Sequence, residues 1–234
     1  MEKEIKNQIE PTFGGSFGNG WQVISDNFLA LLLVVFVVGL VQMPIQVFRS
    51  IGEISIKQAE GGIQAIVLGS FFIFAITYGF LLLSVFDYGS SLMFVKAVRR
   101  EKADFHNLII GFKENYMNIV LANILVAGII MLGIIFLVVP GIIFACKLAF
   151  VKYLVMDRKM GAIEAVEESW RMTNGYGWTI FAMGFVSFFI VILGLVMLIV
   201  GIFPAIMWVS SAYASLYEAV SVKNGTSEIV EDRE

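Results

Sequence analysis

Apolar residues along this chain neither alternate with polar ones nor keep to one helical face; they run on without a break. Continuous apolar stretches occupy residues 28–48, 63–86, 116–139, 140–156, 176–200 and 202–217. A bilayer core about 30 Å thick needs roughly 20 such residues in a helix. Lipid cannot hydrogen-bond exposed peptide groups, so crossings must be helices or closed barrels. Unbroken runs lack the alternation of a barrel. The pattern predicts an all-α, polytopic transmembrane bundle of six crossings. Residues 1–27 form a cytoplasmic tail and lead-in helix, 28–222 the six-helix transmembrane domain, and 223–234 a second cytoplasmic tail.

Between the runs lie short segments with helical periodicity. Phe17, Trp21, Ile24 and Phe28 form one stripe. Phe105, Leu108, Ile109 and Phe112 form another, after Asp104 as N-cap. In residues 162–173, Ala162, Ile163, Val166, Trp170 and Thr173 oppose Glu164, Glu168 and Arg171. Such helices lie in the membrane interface with aromatics at headgroup level. Pro44 is placed to kink or end the first crossing. An outer loop over 49–62 carries Arg49, Glu53, Lys57 and Glu60 at helical spacing. The second apolar helix, continuing to Val98, is longer than a bilayer, so it tilts, projects or kinks near Gly79.

The segments repeat. Gly20-Trp21, Gly111-Phe112 and Ser169-Trp170 each set an aromatic after a small residue. Asn27-Phe28, Asn115-Tyr116 and Asn174-Gly175-Tyr176 each mark re-entry. A hairpin follows each time, which predicts three degenerate copies of one unit. The second and third hairpins turn at Pro140 and Pro204. Their returning helices carry small residues every fourth position, at Gly141, Ala145, Ala149 and at Ser211, Ser215, Ala219. That spacing lets helix backbones approach closely in lipid.

Composition agrees with this picture: 59% of residues are hydrophobic and 15% charged, where soluble domains average roughly 45–50% and 25%. The net charge of −3 is uninformative, but its distribution is not. Of the 16 Lys and Arg, twelve fall on one side of a six-crossing chain. The positive-inside rule then puts both termini in the cytoplasm, and the inner membrane of a bacterium is the expected location. The polar first 27 residues do not read as a signal peptide. The lone Cys146 reads as a buried thiol.

Charges inside the runs are the candidate chemistry, because such residues normally pair or line a wet cavity. Asp87 and Lys147 fall at similar depth and are expected to form an ion pair; Lys152 is expected to snorkel to the headgroups. Arg99, Arg100 and Trp170 are likewise expected to face headgroups. His106 has no partners at metal-ligand spacing, and no nucleophile motif or phosphate loop is present. No metal, cofactor or nucleic-acid partner is expected.

The segment 138–178, with Pro140-Gly141, Asp157-Arg158-Lys159, and then Ala165, Ser169, Thr173 and Gly175 at regular spacing, resembles the membrane domain attached to some bacterial glycerophosphoryl diester phosphodiesterases. Related uncharacterised six-span bacterial proteins share the likeness. The resemblance implies the membrane architecture alone. No soluble segment here approaches the roughly 250 residues of the phosphodiesterase barrel, so no catalytic residues are expected to carry over. The expected role is a non-enzymatic scaffold or lipid-interacting membrane module, partnered by the bilayer and by a membrane or cytoplasmic protein. The alternative is a small transporter or channel around Asp87 and Lys147.

Overall fold

The computed structural model describes residues 10–58, 62–101, 104–197 and 201–231. In chain order the helices are α1 (Phe13–Gln58), α2 (Gly62–Tyr78), α3 (Ser84–Val98), α4 (His106–Glu114), α5 (Tyr116–Phe136), α6 (Val138–Lys147), α7 (Val151–Asp157), α8 (Ala162–Met172), α9 (Gly177–Val196) and α10 (Ile202–Glu231). No strand occurs among the described residues. The stretches Phe13–Val47, Gly62–Val98, Tyr116–Phe136, Val138–Asp157 and Gly177–Val196 are long and apolar enough to cross a membrane. Five such helices are compatible with an integral membrane protein.

The expected sixth crossing, α10, is long enough but less apolar than these five. Its position explains why. It packs on α1, α3, α8 and α9, and Ser211, Ser215, Tyr217 and Glu218 are buried within that packing. A helix wrapped by protein can carry polar groups inward that lipid would not accept. The helix continues to Glu231, so the expected tail at 223–234 begins inside it.

Two expected irregularities resolve differently. The long second helix does deviate at Gly79, as a π-helical turn over Gly79–Leu83 that leads into α3. Pro44 does not end α1, which continues through it; the non-helical residue is Asn27 (φ −128°, ψ 28°), which separates the lead-in helix from the crossing. Asn115 has nearly the same conformation (φ −140°, ψ 20°) between α4 and α5. At the third junction Gly175 takes a positive φ of 83°, which a residue without Cβ adopts freely. The charge expected at Glu60 lies outside the described residues, and the side chains of Arg49, Glu53 and Lys57 outside those described.

The end of the bundle that holds α4, α7 and α8, here the inner end, contains the core. Phe150, Tyr153 and Tyr217 are fully buried there with Met93, Leu154 and Leu216. The Tyr153 and Tyr217 rings stack with centroids 5.0 Å apart, and Phe150 meets Tyr217 edge-on at 5.7 Å. By contrast α2 has no buried residue. It is held to α1 in part by the Tyr78 hydroxyl donating to the Val41 carbonyl at 2.7 Å.

The short helices dock by their small residues. A Cβ on Gly20 would lie 2.8 Å from the Ala212 nitrogen of α10, and one on Gly111 2.7 Å from Ile119 Cδ1. In α8 the buried residues are Ala162, Ala165, Ser169 and Met172. The expected apolar stripes divide: Phe17, Ile24, Leu108 and Ala162 are buried in the core. Phe105, Ile109, Phe112, Ile163 and Trp170 are exposed, as is Trp21. Backbones approach closely at the small residues, and the neighbouring aromatics Trp21, Phe112 and Trp170 turn outward.

In α5, Gly133 and Gly128 make a controlled comparison. A Cβ at Gly133 would come within 2.8 Å of the Gly141 Cα across the hairpin, whereas Gly128 has open space. Gly133→Ala should cost about 1–3 kcal/mol. Gly128→Ala should be neutral or stabilising by up to about 1 kcal/mol. Unfolding followed by far-UV circular dichroism in one detergent checks both.

Candidate functional site

The fourth apolar run is interrupted. Residues Leu148 to Phe150 form a turn between α6 and α7. A break in lipid or in a core exposes peptide groups that must find partners. Here α8 supplies them. The Ser169 hydroxyl donates to the Lys147 carbonyl at 2.8 Å and accepts from the Phe150 N–H at 3.2 Å. The Thr173 hydroxyl reaches the same carbonyl at 3.2 Å and its own helix's Ser169 carbonyl at 2.8 Å. Ser169, Thr173 and Ala165 are fully buried.

The rest of the 138–178 motif is also explained by packing. Pro140 lies in the first turn of α6, where a missing N–H costs nothing. A Cβ on Gly141 would strike Ile134 of α5. Gly175 takes the positive-φ turn that leads into α9.

Just beyond, one guanidinium joins three helices. Arg99, following α3, holds Asp157 at the end of α7 in a bidentate pair of 2.6 and 2.7 Å. Its Nε donates to Glu218 of α10 at 2.8 Å. The Tyr217 hydroxyl donates to the same Asp157 at 2.9 Å. Burial works against the charge on Arg99, but the hydrogen bonds to Asp157 and Glu218 outweigh it and hold its pKa above the ordinary value. Arg99 was expected to face headgroups and instead turns inward, because two nearly buried carboxylates require a cation between them. Arg100, left-handed at φ 58°, remains exposed. Lys159 has a similar φ of 54°. It bonds Glu114 at 2.8 Å and keeps that carboxyl below its usual range.

The candidate charges inside the runs pair differently from expectation. Asp87 lies 3.7 Å from Lys152, not against Lys147. Lys152 also sits 5.4 Å from the Tyr153 ring centroid. Lys147 donates to Asn174 Oδ1 at 2.6 Å and lies 5.8 Å from the Trp170 ring centroid. Helical rotation accounts for the difference. The similar depth of Asp87 and Lys147 did not specify direction around the axis, and the break at 148–150 re-aims Lys152 relative to Lys147.

Two cavities flank these groups. One of about 330 Å³ opens beside the Arg99 cluster, lined by charges of both signs that include Lys96, Glu101, Glu114 and Asp157. The other is a lateral groove of about 470 Å³ between α6 and α9. Val139, Ile142, Ile143 and Phe181 line its length, and Lys147 and Trp178 stand at its inner end. Neither is lined by Asp87. No group of three or more His, Cys, Asp or Glu placed to hold a metal occurs among the described residues.

The Arg99 clasp, the helix break and the groove were not anticipated from sequence. The one usable signal was Ser169 and Thr173 four apart on α8, two hydroxyls on one face with no stated partner. Compared with protein families, curated proteins and solved structures, the chain matches none.

Ser169→Ala should destabilise the fold by about 1–3 kcal/mol, since it strands the buried Phe150 N–H. Arg99→Gln should cost more, about 3–5 kcal/mol, by leaving Asp157 and Glu218 buried without a cation. Equilibrium unfolding of each variant, with the Arg99→Gln/Asp157→Asn/Glu218→Gln triple variant regaining much of the loss, checks both values.

Proposed function

We propose that this chain is a bacterial inner-membrane protein with six crossings, both termini cytoplasmic, acting as a non-enzymatic scaffold or lipid-interacting membrane module. The sixth crossing is α10, central in the bundle and shielded from lipid by its neighbours.

The reading includes three hairpin units. Support comes from the way each lead-in segment docks. The front of α1 lies on α10 through Gly20, and the Asn19 amide donates to Ser215 at 2.9 Å. Helix α4 lies on α3, where Gly89 abuts the Leu108 carbonyl and Lys96 donates to Asn107 at 3.1 Å. Helix α8 lies on the α6–α7 break. Each lead-in helix thus rests on the returning helix of the preceding hairpin, and the first rests on the last. The likeness to the phosphodiesterase membrane domain belongs to the same proposal, as a likeness of architecture.

The observation that carries the functional reading is where the molecule is closed and where it opens. The inner end is filled by Phe150, Tyr153 and Tyr217 and tied by Arg99. The groove between α6 and α9 opens sideways. A transporter needs a wet path through the bundle; a lipid-facing module needs a lateral surface. Asp87, more than half exposed in its pair with Lys152, sits outside the packed centre.

Two measurements follow. In a Cys146→Ala background, Glu164→Cys should react with an impermeant thiol reagent only from the cytoplasmic side, and Ser50→Cys only from the other. Purified chain in proteoliposomes should pass no protons or sodium above empty vesicles, and Asp87→Asn should change nothing. Flux that vanishes in Asp87→Asn would replace the scaffold reading with transport.

A further inference from the structure

Lys147, like Lys96, has a neutral amide partner, and of the two it is Lys147 that lines the apolar groove. Arg99, Lys152, Arg158 and Lys159 each have a carboxylate within ion-pair distance. Lys147 has a neutral amide oxygen and an indole ring, and no carboxylate among the described residues. An ammonium carries three donors, and Asn174 takes one of them. Two N–H groups and a full positive charge are left at the mouth of an apolar groove.

The start of α9 faces the same place. Gly177 and Trp178, its first two residues, line the groove with Lys147. Tyr176 at the N-cap makes no side-chain hydrogen bond to the helix. The first-turn N–H groups of a 20-residue helix therefore remain open, and the helix dipole adds positive potential there. The negative end of α6 at Lys147 is muted in turn, because Ser169 and Thr173 cover that carbonyl.

The groove has two chemistries, arranged end to end. Its outer length is Val139, Ile142, Ile143 and Phe181, all exposed and apolar. Its inner end has Lys147, the open turn of α9 and Trp178, a residue 82% exposed. Exposed Trp belongs at the membrane–water boundary. A ligand that fits carries an apolar chain and a single anionic group at one end, held at that boundary.

We propose that the α6–α9 groove binds one anionic glycerophospholipid, an acyl chain along Val139, Ile142, Ile143 and Phe181 and the phosphate on Lys147 and the first turn of α9. This inference rests on the reading of the chain as a lipid-interacting membrane protein and adds the class of lipid and the site. Basic pockets between helices on the cytoplasmic side favour such headgroups, and one charge close to the phosphate corresponds to about fivefold in affinity.

The test uses the full chain in detergent, titrated with dioleoyl phosphatidylglycerol or dioleoyl phosphatidylcholine and read by native mass spectrometry. The wild type should retain the anionic lipid over the zwitterionic one by about fivefold. Lys147→Gln should erase that preference and leave phosphatidylcholine binding unchanged. Lys147→Arg should keep it, which guards against a Gln variant that folds poorly. Lys152→Gln, whose cation is already paired with Asp87, should leave the preference intact. Ile143→Trp, filling the groove, should reduce both lipids. An undiminished preference in Lys147→Gln would overturn the headgroup assignment while leaving the lipid-binding reading in place. Unchanged retention in Ile143→Trp would overturn the site. A wild type that holds neither lipid would overturn both the inference and the reading beneath it.

Discussion

Two acids can stay buried at the end of an apolar bundle only if a cation is held between them, and Arg99 is that cation. Its planar fork takes Asp157 with two parallel bonds and Glu218 with a third. Each partner belongs to a different returning helix, so one side chain sets where α3, α7 and α10 converge. Lipid gives these helices no hydrophobic drive to associate, so close packing and polar contacts must do it. The aromatic layer of Phe150, Tyr153 and Tyr217 sits directly against the clasp, and the Tyr217 hydroxyl belongs to both. Closure of the inner end and the sideways opening of the molecule follow from this arrangement.

The helix break is the second consequence of the same rule. An unbroken fourth crossing would need no outside help, yet the turn at Leu148–Phe150 leaves the Lys147 carbonyl and the Phe150 N–H to be matched. Ser169 matches both, as acceptor and donor, and Thr173 reinforces it. The break makes α8 indispensable to α6 and α7. It also turns Lys147 toward Asn174 and α9, and Lys152 toward Asp87. Two lysines five residues apart thus acquire separate surroundings: one paired with a carboxylate, one left beside an apolar groove.

How much of this is legible in the amino-acid order depends on the length scale of the signal. Continuous apolar runs mark where the long helices lie, because peptide desolvation acts on every residue of a run, but not where they end: the run 28–48 belongs to Phe13–Gln58 and the run 202–217 to Ile202–Glu231. The small-then-aromatic pairs Gly20-Trp21, Gly111-Phe112 and Ser169-Trp170 were visible, and the exposed aromatics agree with an outward placement; the docking role of the small residues was not foreseen. In the structure the small residue makes the contact and the aromatic faces outward, since lipid accepts the aromatic and only the small residue allows backbones to touch. Asp157 and Glu218 could not be matched to Arg99 from sequence, because they are 58 and 119 residues away from it and no local period links them. The apolarity of α10 is low for the reason that makes it central, so a window of hydropathy undervalues a helix that packs on α1, α3, α8 and α9.

The claim on which the account rests is that the inner half of the bundle is dry and sealed. Leu154 and Leu216 are completely buried there. The direct measurement is thiol accessibility of Leu154→Cys and Leu216→Cys in a Cys146→Ala background, reconstituted in lipid and probed with a charged, membrane-impermeant reagent from each side. The account predicts no modification at either position from either side while Glu164→Cys in the same preparation reacts fully. Modification of either buried position at a rate near that of Glu164→Cys would mean that water passes the clasp, and would contradict it.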